Sequence, residues 1–175
     1  MDFTTNFLKS SKLEFQRYKT LGEKSLGQLT FEQIRWQPSV HDNSIALIVK
    51  HMVGNMLSRW TNFLKEDGEK SWRHRENEFQ APYENRKELL LAWEEGWNCL
   101  FNALDSVNGE NFEDPVFIRS EQHTIIEAIH RQLAHYANHV GQIIYLGKML
   151  KGKDWVSPSI AKGKSEEFNK KTFGF

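Results

Sequence analysis

His135 and His139 stand four residues apart in a stretch, residues 124–151, whose apolar positions recur at helical spacing. With 3.6 residues per turn, positions i and i+4 share one face about 40° apart. Two imidazoles so placed make a two-armed platform for a borderline divalent metal such as Zn²⁺ or Ni²⁺. A third donor has to come from another element. His51 suits that role, beside Ile48 and Met52 at the margin of an apolar stripe. Three imidazoles leave coordination positions open for water or substrate, which suits catalysis better than a purely structural role: such an ion lowers the pKa of bound water or activates a thiol. Spacing alone leaves a plainer reading open, because a helical histidine usually sits at the surface and an HxxxH pair is a weak signal. His123 and His130 fall roughly opposite the pair and are expected to face solvent. His41 and His74 lie in polar connectors, where exposure is expected.

The residues around the three histidines extend the question. Arg59 falls inside an apolar arc between Met52 and Phe63, so it is either paired with a buried carboxylate or aimed at an anionic ligand. Asn55, one turn beyond His51, is placed to orient a ligand or to cap a polar gap. Gln142 lies close in angle to His139 and suits an outer partner of that imidazole. Arg73 and Arg75 read as a solvated charge run, with a lid over the site as the alternative. No general base stands out, since Glu127 is poorly placed by angle, and catalytic residues stay unassigned. Cys99, among Trp97, Leu100 and Phe101, reads as a small core residue rather than a nucleophile.

Four long helical segments must position these groups: residues 3–29, interrupted by Gly22; 43–64, capped by Asn43 or Ser44; 85–107, stopped at Asn108-Gly109; and 124–151. The connectors 30–43, 65–85 and 110–121 are long, and the last carries a short extended run, Val116-Phe117-Ile118. The expected fold is all-α, a four-helix bundle with long connectors over residues 1–152. Residues 153–175 are expected to be a mostly irregular tail. With 23 basic and 23 acidic residues, the chain lacks the basic excess of nucleic-acid or anionic-membrane binders. No apolar run approaches the roughly 20 residues that span a bilayer, and the N-terminus does not read as a signal peptide. The single cysteine excludes an intramolecular disulfide and fits a reducing, cytoplasmic setting.

The segment from Ser44-Ile45-Ala46 to His51-Met52-Val53-Gly54-Asn55 resembles the second-helix histidine motif of the DinB/YfiT-like superfamily. His135-Tyr136-Ala137-Asn138-His139-Val140-Gly141-Gln142-Ile143 is similar to its fourth-helix motif, HxxxH followed by a Gly/Arg-Gln pair. The resemblance covers nearly the whole chain and is closest to a subfamily of unknown function, with NMLSRW (55–60), DGEK (67–70) and GKSEEFN (163–169) as further marks. It implies a four-helix bundle, commonly a homodimer, that binds a divalent metal through His51, His135 and His139. It also implies a small-molecule substrate and, as in some relatives, a low-molecular-weight thiol as co-substrate. The function expected is a thiol-dependent S-transferase acting on small electrophiles. The alternatives are a non-catalytic metal-binding or stress-response module and a metal-dependent hydrolase.

Overall fold

The computed structural model describes residues 2–80 and 83–174 of the chain; residues 1, 81, 82 and 175, which fall in the expected first domain, connector and tail, lie outside the described residues. It is mainly helical. The first helix, α1 (Phe3–Leu26), starts at Asp2, whose carboxylate accepts from the Thr5 amide at 2.9 Å. It runs unbroken through Gly22, three residues short of the expected end. There a Cβ would come within 2.6 Å of Trp93 Cζ2, so glycine serves close helix–helix packing rather than a break.

The connector expected over 30–43 contains a further helix, α2 (Phe31–Arg35). Thr30 and Gln33 cap each other's backbone amides, a box that the T-x-x-Q spacing could have announced. Helix α3 (Ile45–Trp60) is capped by Ser44 and ends four residues earlier than its apolar pattern suggests. Thr61 turns extended and Asn62 takes φ 51, a conformation asparagine tolerates better than most residues. Helix α4 (Arg86–Asp105) begins at an Asn85 cap, and α5 (Ile125–Lys151) at a Thr124–Glu127 capping box. Glu127 is occupied there, accepting from both the backbone and the hydroxyl of Thr124.

Helix α3 packs on α4 and α1 on α5, while α3 also meets α5 and α1 meets α4. One aromatic ring from each of these helices meets at the centre. Phe15 lies 6.2 Å from Trp60, 6.5 Å from Trp97 and 6.0 Å from Tyr136, ring centre to ring centre. All four are buried.

The connectors carry more structure than their composition suggests. Val116–Ile118 (β1) pairs antiparallel with Glu121–His123 (β2) around a tight turn at Arg119-Ser120. The 65–80 segment docks on that hairpin. The Gly68 amide donates to Phe117 O at 2.7 Å, and the Asp67 carboxylate accepts from the amides of Arg119 and Ser120 at 2.8 and 2.6 Å. The segment then forms a 3₁₀ turn at Arg75–Phe79. In the tail, expected to be mostly irregular, the structure has a short helix, α6 (Ser165–Phe173), with no buried residue. Among the described residues no helix is long and apolar enough to cross a membrane.

Candidate metal centre

His51 on α3 and His135 and His139 on α5 come together, as the helical spacing requires once those two helices pack. Their ligand atoms all lie within 4.8 Å of one another. The Nε2 atoms do the converging: His135 Nε2 is 3.2 Å from that of His51 and 3.0 Å from that of His139. Two donors about 2.0–2.1 Å from a shared ion, at tetrahedral or octahedral angles, lie about 2.8–3.4 Å apart. The three residues could therefore hold a metal ion.

The far sides of two imidazoles are fixed by acceptors. His51 Nδ1 donates to Glu78 Oε2 at 2.8 Å, and His139 Nδ1 to Gln142 Oε1 at 2.9 Å. A proton on Nδ1 leaves the Nε2 lone pair free, which is how a carboxylate or amide behind a ligating histidine selects the tautomer. Burial pushes His135 down to about 3, with the like charges of His139 and His51 adding to the shift. Burial also lowers His139, against the hydrogen bond to Gln142. Both imidazoles are thus neutral near pH 7, as ligation demands.

Glu78 is 6 % exposed, and the sequence reading passed over it. Burial alone would raise its carboxyl; hydrogen bonds from His51 and Arg73 and the charge of Arg73 outweigh that and hold it below the usual carboxylate range. Arg73 binds it at both oxygens, Nε to Oε1 at 2.8 Å and Nη2 to Oε2 at 3.1 Å. Arg73 is therefore not part of a solvated charge run, since its side chain is 3 % exposed. Arg75 is exposed, with its guanidinium 5.1 Å from the centre of the Phe79 ring. Phe79 in turn stacks on His51 at 4.9 Å. Gly54 makes the arrangement possible, since a Cβ there would run into the Glu78 carboxylate.

A cavity of about 400 Å³ opens beside the histidines. Its lining includes His51, His135, Asn55 and Gln132. Asn55 Oδ1 accepts from the Tyr136 hydroxyl at 2.9 Å, which accepts from Trp60 Nε1 at 3.1 Å, so the cavity is wired to the aromatic centre. Gln132 is 3 % exposed and its Oε1 has no partner among the described residues. It lies one turn before His135 on the same face, which was the available signal for it. Arg59 also lines the cavity and is paired: it donates to Gly68 O and, at 3.2 Å from both Nη atoms, to Glu69 Oε2. Gln142 reaches His139 but does not line this cavity. The other histidines stay apart from the site. His41, His74 and His130 are exposed, and half-buried His123 sits in β2, 3.7 Å from Glu121.

A sequence model of the family described as "Protein of unknown function (DUF1572)" matches residues 2–164. No curated protein and no solved structure matches the chain.

Proposed function

The chain belongs to the DUF1572 family, and from its site we propose that it is a divalent-metal-binding protein of the DinB/YfiT-like type that acts as a thiol-dependent S-transferase on small electrophiles. On this reading α1, α3, α4 and α5 are the four helices of the bundle, and a homodimer is the expected assembly. One observation carries the proposal: three Nε2 atoms converge while Glu78 and Gln142 engage two of the opposite ring nitrogens. That donor set suits Zn²⁺ or Ni²⁺, with His51, His135 and His139 as the ligands.

The ion would supply Lewis acidity that lowers the pKa of a thiol or water brought to it. The chain's own groups do the rest. Glu78 holds the His51 ring in place through Nδ1. Asn55 and Gln132 offer an amide donor and an unpaired amide acceptor to orient a ligand in the cavity. The reaction class is formation of a carbon–sulfur bond at a small electrophile, with the thiol proton passing to solvent or to the leaving group.

Elemental analysis of the native protein and of a His135→Ala/His139→Ala variant tests the first half of this reading. Stoichiometric metal in the native protein and its loss in the variant are the expected results. Adding candidate thiols to a cobalt- or nickel-loaded sample tests the second half, with a change in the ligand-field spectrum expected. Metal without a thiol response would leave a hydrolytic or non-catalytic role. No metal in either protein after reconstitution would overturn the site.

A further inference from the structure

Five arginines, Arg59, Arg73, Arg75, Arg119 and Arg131, line the cavity that adjoins His51 and His135. Among the described residues, the carboxylates paired with them are Glu69, Glu76 and Glu78. With Asp67, whose charge also acts on Arg59, five guanidinium groups face four carboxylates, a local excess of one positive charge in a chain whose net charge is +0. Structural pairing does not account for that excess. Glu69 alone faces three of them: Arg59 and Arg119, which hydrogen-bond it, and Arg73 at 3.9 Å. Arg119 spends only Nε on it, and Arg131 has no ion pair or side-chain hydrogen bond among the described residues. The buried Arg59 Nε likewise has no partner among them. Concave, partly enclosed walls of one sign raise the local concentration of the opposite charge, and guanidinium forks match planar or tetrahedral oxyanions in pairs.

We propose that this cavity binds the oxyanion groups, carboxylate or phosphate, of a small multiply charged ligand, with Arg75, Arg119 and Arg131 as its anion-contacting rim. The inference rests on reading the cavity as the ligand site, but it does not require the metal. It deepens the functional proposal by fixing the charge of what enters: a molecule whose reactive end meets the histidines and whose anionic end meets the rim.

Calorimetric titration of the metal-stripped protein at low ionic strength tests it with two probes, inorganic phosphate and succinate. Saturable binding in the millimolar range or tighter is expected for at least one, weakening with added sodium chloride. The better probe tells a phosphoryl from a carboxylate ligand. Arg119→Gln and Arg131→Gln change exposed side chains, and each is expected to weaken binding by about tenfold. No saturation by either probe up to about 10 mM, roughly tenfold above a millimolar Kd, or binding that neither substitution changes, would overturn the anion site. Metal content measured on each protein before stripping keeps the two proposals apart. Metal found there without anion binding after stripping sinks this inference alone; anion binding by a protein that never takes metal sinks only the metal reading.

Discussion

Glu78 decides how firmly His51 is aimed. It receives the His51 Nδ1–H and is gripped at both oxygens by Arg73, so one buried carboxylate ties the 3₁₀ turn at 75–79 to α3. Removing its charge leaves the imidazole in place but frees its tautomer and rotation. Outer partners of this kind are worth ~10–100-fold in metal affinity. Glu78→Gln is therefore expected to weaken metal binding by about that factor, read by competition with a chromophoric chelator, while the far-ultraviolet circular dichroism stays unchanged. An unchanged affinity would mean that packing against Phe79, rather than the hydrogen bond, holds the ring. Gln142, which is exposed, is expected to matter less to His139, since water can replace it there.

At the scale of elements, two glycines in long helices carry opposite expectations. Gly22 is buried on α1, and a Cβ there would lie 2.6 and 2.7 Å from two atoms of the Trp93 ring. A buried indole against a neighbouring helix has little room to yield, so Gly22→Ala is expected to cost about 1–3 kcal/mol through overpacking. Gly141 on α5 is exposed, and a Cβ there would meet nothing within 4 Å. Gly141→Ala is expected to stabilise the protein by about 1 kcal/mol through helix propensity. Urea midpoints of the two variants should move in opposite directions. The same contrast shows what the sequence could tell. Gly22 read as an interruption because its partner, Trp93, lies about seventy residues away and no local pattern names it. His135 and His139 were legible because helix geometry alone joins them, and Ser44, Asn85 and Thr124 because a cap is a local device. Arg73 and Glu78 were not, because their burial depends on where α3 and the hairpin stand. Neither residue type nor spacing reports that.

Across the whole molecule, the buried hydrophobic cluster runs from Leu8 to Ile143 and, among the described residues, takes no buried residue from the tail. Yet the tail is not uniform. Trp155 packs against α5 at Gly147, where a Cβ would come within 3.1 Å of the indole and 3.4 Å of Leu29. Next to it, Val156 exchanges two hydrogen bonds with the Gln28 side chain, at 2.8 and 2.9 Å, pinning the strap to the end of α1. Beyond that point α6 has no buried residue, and the ion pair at its start, Lys164 with Glu167, is local and exposed. Exposed pairs of that kind contribute roughly 0–1 kcal/mol. Ending the chain at Ala161 should therefore leave the thermal midpoint within about 2 °C of the full-length protein, whereas ending it at Gly152 removes the indole and both bonds to Gln28. That second truncation is expected to lower stability by about 3–5 kcal/mol, the range for deleting a large packed aromatic. Trp155→Ala in the full chain separates the two contributions. If it reproduces most of the loss, packing on Gly147 dominates; if it is mild, the Gln28–Val156 clasp holds the strap, and α6 is displayed on a segment anchored by hydrogen bonds rather than by burial.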